Sequence, residues 1–173
     1  QAVAAARLGG NVTLISKIGN DLFGKQSIES YRAEGINTDY VFTDYKNPSG
    51  VALISVDSSG ENCIIVASGA NSFLNISDIE KTQGILSEAN IILMQLEIPI
   101  QTVEYITKFA LKHNKKVILN PAPAQILSKQ LLTSVFLIVP NRIEAELLTG
   151  IKVHDWESAQ KAANKMEEKG LKH

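Results

Sequence analysis

Three apolar segments of strand length, separated by helical segments, constrain the fold of this chain more than any other feature. They span residues 91–96, 116–119 and 135–139, and each is apolar almost throughout rather than alternating. Continuous apolar strands are typical of parallel sheets that are buried on both faces. Between the first two, apolar residues recur at helical spacing over 99–110. The pattern predicts an α/β fold with three α/β/α layers and a mostly parallel central sheet.

A different pattern precedes this alternation. Two apolar runs, 50–56 and 62–67, flank a polar loop that contains Gly60, which predicts an antiparallel hairpin projecting from the sheet. Both faces of its strands are apolar, so we expect something to cover each face. Cys63, in the second strand, is expected to be a small buried hydrophobic residue.

These patterns divide the chain into three parts. Residues 1–48, with a strand over 11–16 and a helix over 21–34, are predicted to be the first part of the α/β domain. Residues 49–68 form the hairpin, and residues 69–173 continue the α/β domain. The chain opens in a helical sequence without an initiator Met and stops where a strand should follow a helix, so we expect it to be incomplete at both ends.

The composition limits the classes of partner. There are 17 Lys and Arg against 18 Asp and Glu, and the net charge of −1 offers no basic face for nucleic acid or acidic lipid. No apolar run approaches the ~20 residues that span a bilayer. The single cysteine excludes an intrachain disulfide and favours a reducing compartment. We therefore expect a cytoplasmic protein.

Polar side chains follow the predicted strands at their carboxyl ends, where open parallel sheets bind ligands. In chain order these side chains are Asp21, Glu97, Asn120, and then Asn141 with Glu144. We expect them to lie at one edge of the sheet. Such a cluster suits a ligand rich in hydroxyl groups, a cation, or both.

Each candidate also has a purely structural interpretation. Glu97 could favour the N-terminus of the following helix through its dipole, or it could accept hydrogen bonds from sugar hydroxyls. Asn141 and Glu144 have the spacing of a capping box. At a helix N-terminus the same pair also suits a phosphate and a magnesium-bound water. The residues alone leave these alternatives open.

Several catalytic motifs are absent from the sequence. It contains no Walker phosphate loop, no Gly-x-Gly-x-x-Gly fingerprint, no Gly-x-Ser-x-Gly elbow and no Cys/His metal pattern. Their absence argues against a P-loop kinase and against an NAD-binding dehydrogenase.

Five short motifs occur in order along the chain: Gly19-Asn-Asp-Leu-Phe-Gly24, Ser49-Gly-Val-Ala-Leu-Ile54, Gln95-Leu-Glu97, Asn120-Pro-Ala-Pro-Ala124 and Pro140-Asn-Arg-Ile-Glu-Ala-Glu146. Together they resemble the ribokinases of the PfkB-type sugar and nucleoside kinase superfamily, over essentially the whole chain. The resemblance implies ATP-dependent phosphorylation of ribose at its 5-hydroxyl. The same chemistry on another small sugar or nucleoside is one alternative, and a non-catalytic sugar-binding or assembly module is another.

The resemblance also implies roles for individual residues. Glu97 corresponds to the family's sugar-contacting glutamate, Asn141 to an asparagine near the ATP phosphates, and Glu144 to a glutamate associated with magnesium through water. Mg²⁺ is implied as cofactor and ATP as co-substrate, with potassium as a further candidate.

The hairpin resembles part of the family's lid, which in ribokinases also forms the homodimer contact. This implies that Ala52, Ile54 and Val66 belong to a lid that covers the sugar on one face and a partner lid on the other. Family members carry their catalytic aspartate in a Gly-Ala-Gly-Asp run that forms an anion hole, and this sequence has no such run. No catalytic residue is therefore assigned in this chain.

Overall fold

The computed structural model describes residues 1–171 and divides the chain into two compact units. The first unit is Gln1–Leu74, and the second runs from Asn75 onward. Within the described residues, no helix is both long and apolar enough to cross a membrane. The division of the chain into an α/β kinase domain and a lid stays a prediction.

The first unit combines a parallel strand pair with an antiparallel hairpin. Its elements are α1 (Ala2–Arg7), β1 (Ser16–Gly19), α2 (Leu22–Ala33), β2 (Val41–Asp44), β3 (Val51–Val56), β4 (Asn62–Ala67) and a 3-10 helix (Gly69–Phe73). β1 pairs with β2 in parallel, and Ser16 lies opposite Val41. An ion pair between Arg7 and Glu34 joins α1 to the end of α2.

The strand predicted over residues 11–16 begins later in the structure. Regular pairing starts at Ser16, whereas the preceding residues make an isolated parallel bridge between Thr13 and Asn37. The N–H of Asn37 donates to the carbonyl of Val12, and the N–H of Leu14 donates to the carbonyl of Asn37. The partner strand β2 is not predicted by the sequence pattern, because its short run is only partly buried and carries no continuous apolar stretch.

The hairpin has the predicted strands. β3 and β4 pair antiparallel, with Val51 opposite Ala67. Every residue of both strands is exposed, and Leu53 reaches 67%. Cys63 is exposed too, so the prediction of a buried thiol is wrong. The physical reason is that neither face of the hairpin packs against other residues in the part of the chain that the structure describes, so apolar composition does not bring burial here.

The second unit is a parallel sheet flanked by helices. Its elements are α3 (Ile76–Glu80), α4 (Gln83–Glu88), β5 (Ile91–Met94), α5 (Ile100–Lys112), β6 (Lys116–Leu119), α6 (Lys129–Ser134), β7 (Leu137–Ile138), α7 (Arg142–Thr149) and α8 (Trp156–Glu168). The strands lie in the order β5-β6-β7, and both pairings are parallel. The buried core of this unit includes Ile79, Val103, Val117, Leu119, Leu131 and Val135. Strands and helices thus alternate as the sequence predicts.

The helix predicted near residues 77–87 is split into α3 and α4. Thr82 lies between them with φ −105° and ψ 4°, outside helical values. Its hydroxyl donates to the backbone carbonyl of Ile79 at 2.8 Å. Local bonds from a threonine side chain can compete with the helical ladder, and this bond satisfies the hydroxyl of the fully buried Thr82.

Candidate functional site

The exits of β5 and β6 are joined by hydrogen bonds that continue past both strands. The N–H of Asn120 donates to the carbonyl of Met94 at 2.9 Å, and the N–H of Leu96 donates to the carbonyl of Ala122 at 2.8 Å. Because the strands are parallel, both exits lie at the same edge of the sheet. The segments that carry Glu97 and Asn120 therefore leave the sheet side by side, as predicted.

Glu97 is exposed in a bend between β5 and α5. Helix α5 starts at Ile100 with Pro99 as its N-cap residue, and its first turn holds no acidic side chain. The favourable effect of a carboxylate on a helix dipole falls off within the first turn, and Glu97 precedes the N-cap. Its position therefore weakens the helix-dipole interpretation and leaves a carboxylate able to accept hydrogen bonds from a ligand.

Asn141 and Glu144 form a capping box at the start of α7. Asn141 Oδ1 accepts from the N–H of Glu144 at 2.9 Å, and Glu144 Oε2 accepts from the N–H of Asn141 at 2.8 Å. A further bond runs from Asn141 Nδ2 to Glu144 Oε1 at 2.7 Å. The structure thus contains the capping box that the spacing of Asn141 and Glu144 predicts. A ligand role remains compatible with it, because Nδ2 carries a second hydrogen and each carboxylate oxygen has a further lone pair.

The surroundings of Glu144 bear on whether it could serve a magnesium ion. It is only 5% exposed, and both of its carboxylate oxygens accept hydrogen bonds from Asn141. Among residues 1–171, no group of three or more His, Cys, Asp or Glu side chains could hold a metal directly. Mg²⁺ usually keeps several waters and uses few protein carboxylates, so this position fits a contact through water and does not fit direct coordination.

The described residues of the second unit line at least two clefts. Asn141 lines one of about 260 Å³, together with mostly apolar residues of α7 and α8. Another, of about 550 Å³, is lined mainly by apolar residues such as Leu132 and Leu148 and contains none of the predicted site residues. We place the candidate site at the edge of the sheet where Glu97, Asn120 and Asn141 follow the parallel strands β5, β6 and β7.

The three predicted hairpin residues share one face. Ala52 lies directly opposite Val66, and Ile54 lies two residues further along β3. Cross-strand partners and alternate residues of a strand project to the same side of a sheet. Ile54 is 61% exposed and Val66 55% exposed. Together they form one apolar surface on the hairpin.

Asp21 makes a contact that sequence reasoning misses. It caps α2, and its Oδ1 accepts from the N–H of Gly24 at 2.8 Å. Its Oδ2 also accepts from the N–H of Ser49 at 2.7 Å. The N–H groups of Gly24 and Ser49, with the Ser49 hydroxyl, hold the pKa of Asp21 below its ordinary value. The available signal is the pair of glycines around the cap, which is typical of close backbone approach.

Comparison with known proteins covers the whole chain. A family model described as pfkB family carbohydrate kinase matches residues 1–173. The chain is 46% identical over 171 residues to a ribokinase of Haemophilus influenzae, covering 99% of this chain and 56% of that protein. It is 38% identical over 172 residues to a deoxyribokinase of Salmonella typhi, covering 99% of this chain and 56% of that protein.

Comparison with solved structures shows that the fold is similar to that of a ribokinase. The structure of Arabidopsis thaliana ribokinase complexed with ribose and ATP is similar with a TM-score of 0.86 and 28% identity, over 98% of this chain and 56% of that one. The predicted three-layer α/β/α class is confirmed by this similarity. The chain spans about half the length of the curated relatives it matches. It belongs to the pfkB family of carbohydrate kinases.

Proposed function

We propose that a full-length protein containing this chain transfers a phosphate from ATP to the 5-hydroxyl of D-ribose, giving ribose 5-phosphate. The observation that carries the proposal is the 46% identity to the Haemophilus influenzae ribokinase, which extends over 99% of this chain. Similarity to a ribokinase structure that holds ribose and ATP supports both substrates.

In this reaction Glu97 orients the sugar. Its exposed carboxylate follows a parallel strand at the edge where such sheets bind ligands. A carboxylate accepts hydrogen bonds from hydroxyl groups more strongly than a neutral acceptor does. Holding the sugar in one orientation matters because phosphoryl transfer depends mainly on positioning and on electrostatic stabilisation.

Asn141 and Glu144 act on the phosphate side. Glu144 holds the Asn141 side chain through Nδ2, whose second hydrogen can donate to a phosphate oxygen of ATP. Magnesium bound with ATP would neutralise phosphate charge, and Glu144 would accept a hydrogen bond from one of its waters. Potassium is a further proposal that rests on the family resemblance.

The hairpin is proposed to act as the lid and the homodimer contact. Its two strands expose apolar side chains on both faces, including Leu53, Ile54 and Ile65, each more than half exposed. Large exposed apolar surfaces mark interaction sites in soluble proteins. One face would cover the sugar, and the other would pack on the lid of a second copy.

Competitive turnover of sugars by the full-length protein tests the proposal. We expect kcat/KM for ribose to exceed that for 2-deoxyribose, fructose and adenosine by about 10²-fold or more, since a site that bonds a hydroxyl rejects analogues that lack or misplace it. The similarity to a deoxyribokinase makes 2-deoxyribose the specific rival. A higher kcat/KM for 2-deoxyribose would make 2-deoxyribose, and not ribose, the proposed substrate. If the protein phosphorylates none of these compounds, a binding or assembly module is favoured.

Glu144→Gln is expected to lower kcat about tenfold and to raise the magnesium concentration required, with the KM for ribose nearly unchanged. The amide keeps one acceptor oxygen for the capping box but loses the charge that favours a magnesium-bound water. Titrating turnover against magnesium measures the effect.

Asp78→Asn is the matched control, because Asp78 holds the same capping-box position in α3 and is also buried. We expect it to change stability without changing the magnesium dependence. Full turnover of folded Glu144→Gln at limiting magnesium would leave Glu144 with a structural role only.

A further inference from the structure

The two ends of the hairpin meet at a compact junction, which we call the hairpin root: Ser49 and Gly50 before β3, and Ser68 to Ala70 after β4. The N–H of Ala70 donates to the carbonyl of Pro48 at 2.8 Å. A Cβ added to Gly50 would lie 2.7 Å from the carbonyl oxygen of Ser68, so the two chain segments are in close contact. Whatever fixes Ser49 therefore fixes both ends of the hairpin.

Asp21 is the group that fixes Ser49. Its Oδ2 accepts from the N–H of Ser49 at 2.7 Å, and its Oδ1 accepts from the Ser49 hydroxyl at 2.7 Å. The same hydroxyl oxygen accepts from the N–H of Gly19, the last residue of β1, at 3.0 Å. One carboxylate thus caps α2 and also bonds the first residue of the hairpin root through two donors.

The backbone around this contact leaves no space for side chains. A Cβ on Gly19 would lie 2.3 Å from the backbone nitrogen of Ser49. A Cβ on Gly24 would lie 2.3 Å from the carbonyl oxygen of Gly19 and 2.9 Å from the Ser49 hydroxyl. The two glycines of the Gly-x-Asp-x-x-Gly segment therefore let the β1–α2 turn approach Ser49 closely enough for Asp21 to bond it.

We infer that Asp21 is a positioning residue: it fixes the hairpin root to the β1–α2 turn and acts on the reaction only through the hairpin. The part of this inference that concerns the reaction rests on the proposed function. The part that concerns the hairpin root rests on the contacts of Asp21 with Ser49. This role gives the Gly-x-Asp-x-x-Gly segment a purpose other than ligand binding.

Asp21→Asn separates this role from helix capping. Asn caps helices as well as Asp does, so the bond from Gly24 is kept. The Nδ2 group of the new side chain, however, would face the N–H of Ser49, donor against donor. A second variant, Ser49→Ala, removes the hydroxyl bonds and leaves α2 capped.

Asp155→Asn is the control, because Asp155 caps α8 and its carboxylate accepts from both the N–H and the hydroxyl of Ser158.

Hydrogen exchange of the full-length protein is the primary measurement. In Asp21→Asn and Ser49→Ala we expect the amides of the hairpin root to exchange on the order of tenfold faster, with those of α2 unchanged. Asp155→Asn should leave the root at the wild-type rate. Wild-type exchange at the root in both variants, or faster exchange confined to α2, would overturn the inference.

Steady-state kinetics tests the part of the inference that concerns the reaction. Asp21→Asn is expected to raise the KM for ribose on the order of tenfold while the KM for ATP stays nearly unchanged. An unchanged KM for ribose, together with faster exchange at the root, would overturn the link to the reaction. The exchange result needs no turnover, so it decides the role of Asp21 at the root even if the wild-type protein does not phosphorylate ribose.

Discussion

Glu97→Ala in the full-length protein is expected to raise the dissociation constant for ribose about 10- to 100-fold and to leave that for ATP nearly unchanged. Removing one partner of a hydrogen bond to a charged group costs about 1.5–3 kcal/mol. Glu97 is exposed at the exit of β5 and precedes the N-cap of α5, so removing its carboxylate should not disturb the helix.

Calorimetric titration of ribose and of an ATP analogue measures both constants. Glu88→Ala is the matched control, because Glu88 is an exposed glutamate that ends α4 before β5 begins, and thus lies toward the opposite edge of the sheet. The control should bind ribose as the wild type does. If Glu97→Ala binds ribose with wild-type affinity, Glu97 is not the sugar contact. The interpretation that Glu97 favours the N-terminus of α5 through the helix dipole is then preferred.

Local sequence signals predict much of this structure. Asn141 and Glu144 form the predicted capping box, because such a cap depends only on residues three positions apart. The hairpin follows from two apolar runs and a polar Gly-containing loop, and its observed strands match those runs. The parallel sheet of the second unit follows from continuous apolar segments that alternate with helices.

Features that depend on distant residues are not predictable in this way. Asp21 and Ser49 are 28 positions apart, and the type of neither residue predicts the contact between them. The start of β1 is set by pairing with Val41, and not by its own composition. Cys63 shows the same limit for burial, since a strand of apolar residues stays exposed where nothing packs on it. Local propensity fixes the type of an element, while tertiary contacts fix its bounds and its burial.

The 173-residue chain by itself is expected to show no measurable ribose phosphorylation. The family resemblance assigns the proton acceptor to an aspartate in a Gly-Ala-Gly-Asp run, and the sequence contains no such run. General base catalysis contributes about 10²–10⁴-fold, and loss of an anion hole costs about 10²–10³-fold more. The roles proposed for Glu97, Asn141 and Glu144 are positioning contacts, and none of these roles would replace a general base or an anion hole.

The same chain is expected to self-associate. β5 and β7 are the outer strands of the three-stranded sheet of the second unit, and unpaired strand edges promote association. The hairpin adds exposed apolar faces, with Leu53 and Val56 both above 60%. Light scattering of the purified chain should therefore give a mass above that of a monomer. Magnesium-dependent formation of ribose 5-phosphate by this chain, in a preparation free of host kinase, would contradict the prediction. It would mean that one of its own carboxylates serves as the base, and Glu97 would be the first to test by substitution.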